Sequence, residues 1–447
     1  MKPTRLFASV ILLLTVAREA RADDLLFADP VFRSLVADCM ARNPDLAAAD
    51  RRIGAARERV PQAASLADPT VSIGYQNDGF TSLPLGQRET TFLSISATQP
   101  VPFPGKRPAR EAQANAEAAW AQARIHRPKR ALRADVARAY VGLLWVRAQL
   151  ALLQSQEQVW AQMEALARAR YPADQGTQAD LTRAQLERTK LRQIGTTLRW
   201  DAEARRLELN RLAVRPIDAP VEPSDTLTDL PLPDPPTELA ERLVGESPEL
   251  AVAQAALRAA DRRMEVARLE RKPDFALTVG LMPRGAMVPM WLVQVSATLP
   301  VYAANRQDRA VRESELNAEG AQFDVDGVQQ QIRWRTRERM EKLASVRAIL
   351  QIYRETLLHQ AQAAVEATLR QYAVGRAPFA AVLEAINGRL ADEANYLTSL
   401  ASAQAIRIAL YEADLGPVRD VGGGPTLVSG AAVPDASNRP GAPTGGM

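Results

Sequence analysis

Residues 343–357 read LASVRAILQIYRETL. Leu343, Val346, Leu350, Tyr353 and Leu357 recur at alternating steps of three and four, the spacing of a heptad-like helical seam. Proline is absent from 301 to 377, so the stretch around this seam reads as one very long helix. Ala361, Ala364 and Ala367 continue one side with small residues that let neighbouring backbones approach closely. At 1.5 Å rise, roughly 70 residues make a rod about 100 Å long. A rod of that length needs lateral partners to bury its seam.

Composition agrees with packed helices. Of the 447 residues, 47% are apolar but only 5% are aromatic, so alanine carries much of the apolar count. The net charge is +4, with arginines scattered and not gathered into a patch, which argues against a nucleic-acid partner. A single cysteine, Cys39, excludes an intrachain disulfide framework. The two histidines, His126 and His359, lie far apart, and no metal-ligand cluster, phosphate-cradling loop or nucleophile elbow is seen. The chain is therefore expected to be no enzyme and to need no cofactor or resident metal. Lys2 and Arg5 precede an apolar run at 6–17, and Ala20-Arg21-Ala22 fits a cleavage site, so 1–22 reads as a secretory signal peptide.

The chain repeats itself. Asn43-Pro44-Asp45-Leu46 matches Ser247-Pro248-Glu249-Leu250 at a shift of 204, and Asp68-Pro69 matches Lys272-Pro273 at the same shift. Gln99-Pro100-Val101 matches Leu299-Pro300-Val301 at 200, and Tyr171 and Gly176 match Tyr372 and Gly375. Ordered landmarks of this kind indicate a duplicated unit. The first unit spans 23–213: a helix over 29–67, a β-hairpin at 70–99, a long helix at 106–170 that Pro128 should kink, and a helix at 177–212. The second spans 237–416: a helix over 237–271, a hairpin at 274–299, a long helix at 304–371 with a bend expected near Gly327, and a helix at 378–415. Residues 214–236, rich in proline and acid, read as an external connector, and 417–447 as a disordered tail.

The strands raise the membrane question. Val71, Ile73 and Tyr75 alternate with small or polar residues, as do Leu93 and Ile95, then Phe275, Leu277, Val279 and Leu281, then Trp291, Val293 and Val295. Runs of about nine to eleven residues suit tilted membrane-crossing strands. Four strands cannot close a barrel, and an open edge is not tolerated in lipid. Three copies would supply twelve strands, an even count in the known range. The fold expected is mainly α with a small membrane β part that a homotrimer closes into a twelve-stranded barrel.

These residues resemble the outer-membrane efflux factor family typified by TolC, over about 27–416. Three patterns carry the likeness: Ala41-Arg42-Asn43-Pro44-Asp45-Leu46, Gln99 through Arg107 at the strand-to-helix swivel, and Tyr372-Ala373-Val374-Gly375 followed by Val382-Leu383-Glu384-Ala385. In the first half Tyr171, Gly176 and Asp180-Leu181-Thr182-Arg183-Ala184-Gln185 stand at the matching place. The resemblance implies an outer-membrane exit duct whose helical hairpins form a periplasmic α-barrel, a passive conduit gated at its periplasmic tip that exports heavy-metal cations or small toxic compounds. Its partners would be a periplasmic adaptor (membrane fusion protein) and an inner-membrane pump, of the RND type. Adaptor hairpins would dock at the tips, at Tyr171, Gly176, Tyr372 and Gly375. By motif position Glu384 stands for one carboxylate of the periplasmic gate, and Asp180 for a hydrogen-bonding acid of the first tip. Ala381 and Ala377 depart from the pattern. The lean is towards the heavy-metal cation branch, with Met282, Met287 and Met290 between the second pair of strands as candidate thioether contacts. Two other readings stay open: a soluble periplasmic coiled-coil adaptor, and a duct for type I protein secretion.

Overall fold

The computed structural model describes residues 27–77, 85, 88–172, 176–229 and 236–419. The signal-peptide reading of 1–22 and the tail from 420 onward lie outside them, as do connector residues 230–235.

Prolines and their neighbours set the helix boundaries. The first helix of each unit, read above as continuous, is two helices. α1 (Pro30–Arg42) and α2 (Pro44–Ala64) meet at Asn43, which is extended at φ −65°, ψ 122°. A residue before proline avoids the helical region, and here the Asn43 side chain accepts from the N–H groups of Asp45 (2.9 Å) and Leu46 (3.2 Å) to start the second helix. The second unit breaks the same way at Ser247, between α6 (Pro236–Gly245) and α7 (Pro248–Leu269). The first long helix divides into α3 (Lys106–Ala123) and α4 (His126–Arg170). The break falls at Arg124 and Ile125 because the Pro128 ring opposes the carbonyl four residues earlier. The second long helix is not interrupted at Gly327: α8 (Gln307–Ile352) runs through it unbroken. Its irregularity is a π turn at Tyr353–Leu357, followed by α9 (Leu358–Ala373). α5 (Gln178–Leu212) and α10 (Phe379–Glu412) complete the two units.

The helices pack side by side. Nearest the sheet the order is α2, α3, α7, α8; at the other end it is α5, α4, α10 and then α8 with α9. The core lies between α4 and α10, where Tyr140, Trp145, Trp160, Ala403 and Tyr411 are buried. Four strands, β1 (Thr70–Gln76), β2 (Phe92–Val101), β3 (Asp274–Arg284) and β4 (Met287–Thr298), form one antiparallel sheet in the order β1-β2-β3-β4.

The chain start is fastened by Asp29, which is almost fully buried. Its carboxylate accepts from the hydroxyl of Tyr140 on α4, from Ser224 Oγ (2.7 Å) and from the backbone N–H groups of Val31 (2.8 Å), Ser224 (2.9 Å) and Asp225 (3.1 Å). α1, α4 and the connector thus meet at one side chain. Burial pushes the carboxyl up, but the bonds from Tyr140, Ser224, Val31 and Asp225 outweigh it and lower its pKa to about 2. A folded pKa below the unfolded value of 3.8 means stabilisation that is complete above about pH 4 and lost as pH falls through about 2. The shift corresponds to about 2 kcal/mol. Asp29→Asn is expected to destabilise the protein by that amount at pH 7, with the gap from wild type closing towards pH 2 in denaturant melts. A gap independent of pH would remove the carboxylate from this role.

Candidate functional site

The sheet sorts its residues by face. The register aligns Val71 with Ala97, Ile73 with Ile95, Val279 with Val293 and Leu281 with Trp291, so apolar residues from all four strands share one side. That side is unpartnered in the chain: Ile73 is 73% exposed, Trp291 77% and Val295 71%. Val71, Tyr75, Ile95 and Val293 are exposed as well, and Leu93 is half-buried. The other side carries Ser72, Gly74, Ser94, Ser96, Thr278, Gly280, Gln294 and Ser296, with Thr98 and Thr278 joined hydroxyl to hydroxyl at 2.8 Å. β1 and β4 each keep one edge unpaired within the chain.

Where sheet becomes helix, the two units are riveted together. Gly105, at φ +99°, adopts the left-handed turn that lets the chain leave β2 and enter α3. Lys106 follows, 2% exposed, with Nζ 3.1 Å from Glu270 Oε2 and 2.9 Å from Asp274 Oδ2. Arg110 donates to the other Glu270 oxygen at 2.7 Å, and the Phe103 N–H donates to Asp274 Oδ1 at 2.9 Å. Desolvation raises the Glu270 carboxyl, but bonds from Arg110 and Lys106 bring it below its ordinary range. A buried ammonium held by two carboxylates ties the start of α3 to the end of α7 and the start of β3. The swivel motif located this place, but no periodicity marks Lys106 as buried.

At the far end both tips come together. The α9 terminus closes with a Schellman arrangement: Gly375 N–H donates to the Tyr372 carbonyl (3.0 Å) and Arg376 N–H to that of Gln371 (2.8 Å). Gly375 sits at φ +75°, which explains a glycine there. Arg170, at the end of α4, donates to the Tyr372 carbonyl and lies over its ring at 4.7 Å. Tyr372 in turn packs edge-on against Phe379 (5.7 Å), which meets Trp160 of α4 at 6.5 Å. The matching tyrosines therefore diverge: Tyr372 is buried, whereas Tyr171 is 49% exposed. At Gly176 the chain passes close to α4: an added Cβ would stand 3.2 Å from Arg170 Cβ, a tight contact. Asp180 closes a capping box with Thr177, each side chain accepting from the other's N–H at 3.2 Å. Its charge also raises the Tyr372 phenol, after burial, the larger cause. Glu384 is exposed on α10, with Val382 and Ile386 of the same helix buried. Arg170, Trp160 and Phe379 were not singled out from sequence. Only their place beside the tip turns hinted at them.

Known proteins share this arrangement. The family described as outer membrane efflux protein matches residues 35–212 and 239–414, one segment per unit. The nickel and cobalt resistance protein CnrC of Cupriavidus metallidurans is 29% identical over 311 residues, 68% of this chain and 70% of that protein. Among solved structures, the outer membrane protein VceC of Vibrio cholerae superposes with a TM-score of 0.72 at 18% identity, covering 87% of this chain and 96% of its own. CusC, solved in a study of folding and transmembrane channel formation, superposes at 0.70 with 17% identity, covering 89% and 94%. Those two likenesses speak for the fold. The family match spans most of both units, and the chain accordingly belongs to the outer membrane efflux proteins: passive channels, not enzymes, that sit in the Gram-negative outer membrane as trimeric components of tripartite efflux systems.

Proposed function

We propose that this chain is the exit duct of a tripartite exporter of heavy-metal cations. Three copies would close the sheet into a twelve-stranded barrel, with units 23–213 and 237–416 building the helical tunnel and 214–236 wrapping its waist. The observation that carries this is the four-stranded sheet, with one face apolar and both outer edges unpaired. A bare β edge cannot persist in lipid, and the next copy is the simplest source of a partner strand. The tips around Tyr171, Gly176, Tyr372 and Gly375 would receive a periplasmic adaptor coupled to an inner-membrane pump of the RND type. Tyr372 would act there through backbone and packing, because its ring is buried. The metal reading takes its support from the resistance function in the name of CnrC. A deletion strain challenged with nickel, cobalt, zinc, copper and a drug panel tests it. Sensitivity to drugs with normal metal tolerance would reject the cargo assignment.

Glu384 supplies the gate. Three exposed carboxylates around one axis would attract cations and repel each other. Each contributes about 1 kcal/mol to a cation passing at about 4 Å in a watery pore. Glu384→Gln removes all three and is expected to lower cation-over-anion selectivity by roughly 100-fold in planar bilayers. Unchanged selectivity would place Glu384 off the conduction path. Asp180 is expected to hold the tip through its capping box and not through the lumen.

A further inference from the structure

The tip of the β3–β4 hairpin gathers three methionines. Met282 of β3 stands directly opposite Met290 of β4. By strand alternation both lie on the polar face, and continuing the register places them in one row with Gly74 and Ser94. Gly74 and Ser94 leave room beside the pair in that row, and Phe92 and Leu292 flank it on the same face. A register shift between Met282 and Arg284 sets Met287 opposite Arg284, close to the same pair. Pro283 and Pro289 flank the shift and lack the N–H donors that would continue the ladder, and Gly285 turns the chain at φ +62°. The tip is thereby stiffened. All three methionines are half-buried, whereas Val288 and Trp291 beside them are 78% and 77% exposed.

The geometry points to a soft-cation site at the outer mouth of the lumen, with Met282 and Met290 as thioether donors and Met287 as the third. Directly opposed residues have Cβ atoms about 4.5–5.5 Å apart, and the three rotatable bonds of methionine let both sulfurs reach one ion. Neutral thioethers select monovalent soft ions such as Cu(I) or Ag(I) over Ni(II) or Zn(II), which take imidazole and carboxylate ligands. No group of three or more His, Cys, Asp or Glu side chains that could hold such an ion occurs among the described residues. The position at a lumen mouth rests on the duct reading; the binding chemistry does not.

Ag(I) is the probe, because it is redox-stable and chemically close to Cu(I). Full-length protein in detergent carries Cys39→Ala, so that the one thiol does not compete. Equilibrium dialysis is expected to show saturable uptake of about one silver per chain. Met282→Leu/Met290→Leu is expected to weaken it at least ~10-fold. Leucine conserves volume at both positions, so the oligomer on gel filtration is expected to stay unchanged. ¹³C-methyl methionine spectra of the parent should move only the signals lost in the variant and that of Met287. Equal silver uptake by parent and variant, or none by the parent, would overturn the site. A monomeric parent would instead overturn the duct reading, while the silver comparison would still decide the site.

Discussion

Val293→Arg is expected to abolish accumulation of the assembled protein in the outer membrane. Val293 lies at the middle of β4, opposite Val279, on the exposed apolar face. A guanidinium on the lipid face near the bilayer midplane costs about 2–4 kcal/mol per copy. A symmetric assembly repeats the cost three times, roughly 6–12 kcal/mol in all, which rivals the whole stability of a typical domain. Gln294 is the internal control. It neighbours Val293 but points to the polar face, opposite Thr278. Gln294→Arg is expected to assemble normally and alter only conductance. Equal assembly of the two variants in heat-modifiability gels would mean that the apolar face does not meet lipid.

Arg339→Met is expected to loosen the end of α10 from α8 by about 3–5 kcal/mol, the usual result of removing one partner from a buried ion pair. The Arg339 side chain is 2% exposed. It donates to the Ala409 carbonyl at 2.8 Å, to Asp414 Oδ1 at 2.5 Å and to the Gly416 carbonyl at 2.7 Å. Methionine fills much of the volume but leaves a carboxylate and two carbonyls without that donor. Arg339→Lys should recover little, since an ammonium cannot span three acceptors held by a planar fork. Hydrogen exchange of 405–416 is the readout: faster exchange confined to that segment is expected. Full rescue by lysine would reduce Arg339 to a charge.

The four-stranded sheet was legible in the sequence almost complete. Alternation in four short runs gave both the strands and the faces, because period two survives whatever surrounds the sheet. The repeat located the tips and the swivel. Continuity of the helices was less legible. Asn43 and Ser247 stand before prolines, and the seam of each first helix runs on across both breaks, so periodicity overrode a local stop signal. Gly327 suggested a bend by analogy with Pro128, yet glycine keeps its N–H and merely weakens a helix. The repeat also misled at one point. Tyr171 and Tyr372 match by position, but Arg170 and Phe379 close over only the second. Lys106 and Asp29 are single charged residues whose burial depends on partners 111 to 196 positions away, a distance no local pattern encodes.

The duplication also fixes how one copy should meet the next. Within the chain β2 pairs with β3, Ala97 facing Val279. The repeat shifts of 200 and 204 carry that pair to Ala297 of one copy and Tyr75 of its neighbour. Both belong to the apolar face and to opposite outer strands. In one sheet they lie three strand spacings apart, about 14 Å, and are offset by about eight residues along the strands as well, too far for a disulfide within a chain. Ala297→Cys/Tyr75→Cys in a Cys39→Ala background is therefore the most direct test of barrel closure by identical copies. Mild oxidation of outer membranes is expected to yield a covalent ladder ending at the trimer, whereas Trp291→Cys/Tyr75→Cys should stay monomeric on denaturing gels. Monomer alone from the first pair, under conditions in which both thiols are oxidant-accessible, would contradict a seam between β4 and the next copy's β1.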